Sequence, residues 1–236
     1  MVSVLPQLKE LKGAALDLLF PRFCVGCCKE GDFICNSCQA SLPRIESPIC
    51  PKCDKPQTGL VLCPNCTNWE ADIDAIRSPF RFAGVIRKAV HEFKYHNLHA
   101  IAGQLAHFLG DYLIDNPIPY DVIVAVPLHH KRLKERSYNQ AALLSIELSG
   151  LTGIPVNDIS LIRCIYNVQQ AKTRNVEERR QNVIGIFSCL NEDLFEKKVL
   201  LIDDVTTSGA TLNACASVLK KAGATSVWGL TLAREI

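Results

Sequence analysis

The chain lacks three things, and each absence narrows its class. It has no uninterrupted apolar run of about 18 residues, so no segment reads as a helix long enough to span a bilayer. No charge of one sign dominates: 26 basic residues stand against 24 acidic ones for a net charge of +2, and any basic surface for an anionic partner must be local. No secretory signal is legible either. Met1 to Phe20 has helical apolar spacing at Leu5, Leu8, Leu11, Ala15, Leu18 and Leu19, but Lys9, Glu10, Lys12 and Asp17 interrupt it and no small-residue cleavage site follows. This stretch reads as a helix packed on protein, and the expected compartment is cytoplasmic.

Cysteine, by contrast, is plentiful. Of 12 cysteines, nine fall between Cys24 and Cys66. Eight of those form CxxC pairs: Cys24 with Cys27, Cys35 with Cys38, Cys50 with Cys53, and Cys63 with Cys66. A CxxC knuckle turns two thiolates toward one ion, and two knuckles complete a tetrahedral four-sulfur zinc shell closed to water. Four knuckles therefore call for two structural zincs. Seven residues separate Cys27 from Cys35 and nine separate Cys53 from Cys63, short enough for each half to close on itself, so sequential pairing is favoured over interleaving. The segment is rich in Pro, Gly and Asn and poor in large apolar residues, so metal binding must supply much of its folding free energy. A disulfide framework suits a secreted chain, and a redox CxxC would open a helix after a strand; neither context is present. Cys164, Cys189 and Cys215 lie in apolar settings and read as small buried hydrophobes.

From about Asp72 the pattern changes. Helical stretches over Val85–Lys94 and Leu98–Ile114 precede a strand over Val122–Val126, a helix over Tyr138–Leu151 and a strand near Leu161–Ile165. After a charged connection come a strand over Val199–Ile202, a helix over Ala210–Ala222 and a last strand over Ser226–Leu232. Such alternation predicts an α/β fold, a mostly parallel sheet with helices on both faces, with ligands beyond the carboxyl ends of the strands. The expected organisation is an N-terminal helix over 1–20, a double zinc ribbon over 21–71 and this α/β domain over 72–236.

The run VLLIDDVTTSGATL, Val199 to Leu212, concentrates the chemistry. Thr206, Thr207, Ser208, Gly209, Ala210 and Thr211 follow an apolar strand and open a helix, where backbone N–H groups, hydroxyls and the helix N-terminus surround a phosphate. Asp203 and Asp204 would repel a bare phosphate. They make sense if the ligand also carries hydroxyls that donate hydrogen bonds, which points to a sugar phosphate. An ordinary Asx-capped helix start accounts for two or three of these residues but not for the whole run.

This run resembles the loop of the type I phosphoribosyltransferases, and the resemblance implies that Asp203 and Asp204 contact ribose hydroxyls. It also implies that the loop, with Val205 beside it, holds the 5′-phosphate, and that magnesium accompanies phosphoribosyl diphosphate. A second resemblance spans nearly the whole chain: the paired knuckles, FKYHN (Phe93–Asn97), PLHHKRLKERSYNQA (Pro127–Ala141), RRQNVIGIF (Arg179–Phe187), then the loop. This order is similar to the ComF family of competence-associated proteins, also called ComFC or GntX-like, which join a double zinc ribbon to a phosphoribosyltransferase domain. Where that family usually shows Arg-Gly-Phe-Asn-Gln, this chain has Arg136, Ser137, Tyr138, Asn139 and Gln140, and loss of the glycine predicts an altered turn.

Phosphoribosyl transfer rests on positioning and electrostatics around a departing diphosphate. The segment after the Val122 strand offers Lys131, Arg132, Lys134 and Arg136, of which Arg132 and Arg136 are the candidates for catalysis and Lys131 for binding. The connection Gln169–Gln181 offers Lys172 and Arg174, with Arg179 and Arg180, as a lid over the ligand; singly, each of these cations reads as a solvated surface charge. Thr207 stands where the purine-salvage branch has an acid near the accepting base, which argues against 6-oxopurine salvage. His91, His96 and His99 read as ordinary helical histidines. Two classes of function follow. One is a phosphoribosyltransferase with an unidentified acceptor. The other is a non-catalytic competence factor that binds single-stranded DNA alongside DNA-uptake proteins, or a regulator sensing phosphoribosyl diphosphate. Only Tyr138 and Tyr166 lie near the basic loops, and so few stacking aromatics favour a small phosphorylated ligand.

Overall fold

The computed structural model describes residues 21–165 and 185–236. The helix expected over 1–20 lies outside the described residues, as do Lys172, Arg174 and the rest of the Gln169–Gln181 connection.

The VLLI run forms the middle of the molecule because both of its faces are apolar, as a strand covered on two sides requires. It lies in β7 (Lys198–Thr206), which pairs in parallel with β8 (Ser226–Arg234) on one side and β3 (Val122–Ala125) on the other. Beyond β8 stand β1 (Ala75–Arg77) and β2 (Phe80–Arg81); beyond β3 stands β4 (Val156–Asn157). Every pairing in this sheet is parallel. Val122, Val124, Val199 and Leu201 point to one face and Ile123, Leu200 and Ile202 to the other, the period-two alternation of a strand.

Helices cover both faces, as the α/β pattern predicts. On one side lie α3 (Gly84–Tyr95), a 3₁₀ turn (His99–Ile101), α4 (Ala102–Asp115) and, after a short α5 (His130–Arg136), α6 (Gln140–Thr152). Ile86, Ala89, Val90 and Phe93 of α3 recur at three- and four-residue spacing and bury one stripe against Leu105, Leu109, Leu144 and Leu148. Each large side chain of this set contributes about 2 kcal/mol of burial. On the other side α7 (Ala210–Lys221) buries Leu212, Cys215, Ala216 and Leu219.

The short β1, β2, β4 and α5, and a strand over Phe187–Cys189, have no counterpart in the sequence reading, and the structure departs from it further. β7 does not stop at Ile202: its ladder with β8 runs on through Asp203 opposite Thr231 and Thr206 opposite Arg234, so the acidic pair sits on the strand. The strand near Leu161 is β5 (Leu161–Arg163), which pairs antiparallel with β6 (Phe187–Cys189) as a separate ribbon. Of the three outlying cysteines only Cys215 is fully buried; Cys189 is half-buried and Cys164 exposed, because Cys164 follows the end of that short ribbon.

The cysteine-rich segment shares a core with the sheet. Cys24, Ile34, Cys38 and Leu42 pack with the α3 and α4 side chains, and Gln104 of α4 both accepts from the Ile34 N–H at 2.8 Å and donates to its carbonyl at 2.7 Å. Farther along, Asp54 is fully buried. It holds Arg77 at 2.9 Å and accepts from the Ser78 N–H at 2.9 Å and from the Tyr112 hydroxyl at 3.2 Å, so its charge is compensated where it is shielded from water.

Candidate functional site

Two sets of four cysteines come together in sequence order. The sulfurs of Cys24, Cys27, Cys35 and Cys38 lie within 4.8 Å of one another, as do those of Cys50, Cys53, Cys63 and Cys66. In each set a backbone N–H reaches across the knuckles to a sulfur, Cys35 to Cys24 and Cys63 to Cys50, both at 3.4 Å. Short helices, α1 (Asn36–Gln39) and α2 (Pro64–Thr67), begin directly after Cys35 and Cys63. Thiolates are the ligating form, and three thiols are drawn toward it: Cys24; Cys35 to about 6, chiefly by a hydrogen bond from Ser37; and Cys53 to about 5, chiefly by Cys66, while their neighbours Cys38, Cys63 and Cys66 are pushed up in turn. Donor type, number and closure fit two structural zinc sites. A third group, His91, Glu92 and His96, also brings its donors within 4.8 Å; it is exposed, and Glu92 takes His96 Nδ1 at 2.7 Å as an ordinary pair one helical turn apart.

The cleft lies where the chain direction reverses in the sheet. From β3 the chain runs outward to β4, and from β7 it runs the other way to β8. The carboxyl ends of β3 and β7 therefore diverge, which opens a crevice at the switch point. A cavity of about 220 Å³ there is lined by Val126 to Leu128, by Asp203, Asp204 and Val205, by Thr211 at the start of α7, and by Lys94, Arg132, Arg136 and Arg163. Asn139 fixes one wall: its side chain donates to the Val126 carbonyl at 3.0 Å and accepts from the Ala141 N–H at 3.0 Å, capping α6.

The electrostatics are those of a cationic pocket around two carboxylates. Lys94 Nζ stands 2.8 Å from Asp204 Oδ1. Asp203 Oδ1 accepts from the Asp204 N–H at 2.9 Å. Burial, and then the adjacent Asp204 carboxylate, push Asp203 up to about 7, against the pull of Lys94 and Arg163. Arg136 donates to Gln140 Oε1 at 3.2 Å and lies 5.2 Å above the Tyr95 ring.

The expected site residues divide accordingly. Asp203, Asp204, Val205, Thr211, Arg132 and Arg136 meet in the cleft, while Lys131 does not line it. Thr207 to Gly209 form the adjoining turn, with Thr206 closing β7 and Ala210 opening α7. Gly209 there has φ +78°, and a Cβ on it would fall 2.6 Å from Ile76 Cδ1, so only glycine fits. Ser137 takes the left-handed conformation at φ +65° that ends α5: the turn expected to change without glycine keeps a glycine-like backbone. Tyr138 is buried, its hydroxyl donating to the Phe93 carbonyl and its ring 3.8 Å from His99, so it is closed to stacking. Among the described residues Tyr95, exposed at 57%, is the aromatic available beside Arg136; Tyr166 lies outside the described residues.

Lys94 and Arg163 were missed from the sequence. Lys94 lies in the FKYHN run and one turn of helix delivers it to Asp204. Arg163 sits on the antiparallel ribbon, and no local signal places it over the cleft.

A family model described as a double zinc ribbon domain matches residues 15–67. The chain is 31% identical over 215 residues to competence protein ComFC of Bacillus subtilis (strain 168), covering 88% of this chain and 86% of that one. It is 30% identical over 210 residues to competence protein F of Haemophilus influenzae, covering 85% and 90%. Among solved structures it is similar to the glutamine phosphoribosylpyrophosphate amidotransferase from B. subtilis, at 21% identity and a TM-score of 0.39 over 56% of this chain, and it spans 26% of that enzyme's length. Identity that runs through both the cysteine knuckles and the α/β domain makes this chain a member of the ComF family.

Proposed function

We propose that the cleft binds phosphoribosyl diphosphate, and that the chain serves DNA uptake as a phosphoribosyltransferase-like member of its family. The proposed organisation is a helix over 1–20, a zinc ribbon over 21–71 and a phosphoribosyltransferase-like domain over 72–236. The observation that carries the reading is the pairing of opposites in the cleft: Asp203 and Asp204 lie on the last stretch of β7, before a glycine-pinned turn, while Lys94, Arg132, Arg136 and Arg163 line the same cleft. Four cations around two carboxylates suit a ligand that is both hydroxylated and multiply anionic. The carboxylates accept ribose hydroxyls, Thr206 to Thr211 offer N–H and hydroxyl donors to the 5′-phosphate, and the arginines hold the diphosphate. The oxygen donors of Asp203 and Asp204 suit magnesium, which would screen the diphosphate as it departs.

Titration of phosphoribosyl diphosphate with magnesium into wild type and the Asp203→Asn/Asp204→Asn double variant tests this. Binding is expected only in wild type; equal binding by both overturns the reading. Diphosphate release in a metabolite screen tests turnover on an acceptor.

A second reading, direct binding of single-stranded DNA, is favoured by one observation. Tyr95 is exposed beside Arg136 at the cleft mouth, a base-stacking platform next to phosphate-binding cations. The two named relatives are competence proteins, which supports either reading. Salt-dependent single-strand binding that weakens in Tyr95→Ala is expected; no binding, or no salt response, counts against it.

A further inference from the structure

We propose that His91, Glu92 and His96, at the end of α3, form a third metal site, which takes an exchangeable divalent transition ion and leaves a coordination position open to solvent. The site is separate from both cysteine clusters and from the acidic pair of the cleft, and it does not rest on the ligand read there.

The three donors come together because of the way the helix stops. Successive residues of an α-helix are turned by about 100°, so positions 91 and 96 of a continued helix would face about 140° apart and could not share an ion. α3 ends at Tyr95, and His96 leaves the helical path at φ −116° with its N–H held by the Glu92 carbonyl at 3.0 Å. Asn97 then turns the chain in the left-handed conformation at φ +54°. As a result the His96 ring stands edge-on to His91, with centroids 5.3 Å apart, and the Tyr95 ring lies 4.9 Å from His91. Glu92 Oε2 is 2.7 Å from His96 Nδ1. One ligand atom from each of the three residues falls within 4.8 Å of the other two.

The donor set selects the ion. Two imidazoles and a carboxylate suit zinc, cobalt, nickel or copper, whereas magnesium and calcium take oxygen donors. Three side chains around an ion that prefers tetrahedral geometry leave the fourth position to water or an anion, which the closed four-sulfur clusters do not. Bound nitrogen and oxygen donors stand about 2.1 Å from such a metal and hence roughly 3.4 Å from one another, so His91 closes in while Glu92 and His96 part slightly. His91 and His96 are exposed and Glu92 is half-buried, and side-chain rotation supplies these shifts. His99 stays outside the set, its ring 3.8 Å from that of Tyr138. Without an ion Glu92 and His96 pair directly; with one, the metal staples the last turn of α3. That turn also carries Lys94, paired with Asp204, and Tyr95, set against Arg136, so the site adjoins the rim of the cleft.

The test adds cobalt(II) to the full chain with both cysteine clusters loaded with zinc. Cobalt held by imidazole and carboxylate gives weak visible bands without the near-ultraviolet thiolate charge transfer that marks cobalt in a cysteine cluster. Wild type is expected to show the first spectrum, saturating at a single cobalt per chain. His91→Ala and His96→Ala should each lose it, and Glu92→Gln should hold cobalt more weakly. His107→Ala, which removes another exposed histidine, and Asp203→Asn/Asp204→Asn, which removes the carboxylates of the cleft, should both keep it. No cobalt spectrum in wild type, a thiolate band alone, or an unchanged spectrum in the His91→Ala/His96→Ala double variant overturns the proposal. So does loss in His107→Ala as complete as in His96→Ala, or loss in Asp203→Asn/Asp204→Asn, which would put the ion in the cleft. The spectrum is read without phosphoribosyl diphosphate, so failure of that ligand to bind decides the reading of the cleft and leaves this site to its own result.

Discussion

Lys94 Nζ and Asp204 Oδ1 stand 2.8 Å apart across the mouth of the cleft, the end of one helix meeting the end of the central strand. This pair leaves Asp203 as the carboxylate that titrates near neutrality, since burial and Asp204 push it up while Lys94 only partly offsets them.

Because Asp203 is held up at about 7, the folded state binds a proton that the unfolded chain releases at the ordinary aspartate value. The resulting stabilisation is present at acid pH and is lost as pH rises toward 7. Urea unfolding at pH 5 and pH 7.5 should show this decline in wild type and a smaller one in Asp203→Asn. Ligand binding runs the other way: accepting a ribose hydroxyl requires the ionised carboxylate, so phosphoribosyl diphosphate affinity should rise as pH passes through about 7.

Gly209→Ala should destabilise the chain by about 2 kcal/mol, since it combines left-handed strain with overpacking against Ile76 and Trp69. Urea denaturation measures the loss, and Trp fluorescence should shift as Trp69 gives way.

Ser137→Gly should do the reverse. Ser137 is exposed to the strain of φ +65°, and glycine there is expected to add about 1 kcal/mol of stability. Calorimetric melting of the zinc-loaded chain checks it, with ligand affinity unchanged because Ser137 does not line the cleft.

Zinc removal should proceed in two stages. Cys27 of the first cluster is exposed, whereas all four cysteines of the second are buried. A chelator is expected to take the first zinc faster, and removal of both should lower the melting temperature markedly because Cys24 and Cys38 belong to the main core.

The sequence by itself determined the four-cysteine clusters, the alternating α/β pattern and the contiguity of the acidic pair with its Thr/Ser/Gly turn. Each is a local signal: a knuckle needs two cysteines three positions apart, a strand covered on both faces reads as VLLI, and the turn after Asp203 and Asp204 is contiguous chain. Tertiary structure decided what depends on elements distant in sequence. It carried Lys94 and Arg163 to the acidic pair, buried Tyr138 and left Tyr95 open. It also set the ribbon's second cluster behind Gly209, with Trp69 between them, and brought Arg234, at the end of the last strand, against Thr207. No local pattern marks these contacts, because parallel strands bring together residues whose separation along the chain is set by the crossover between them.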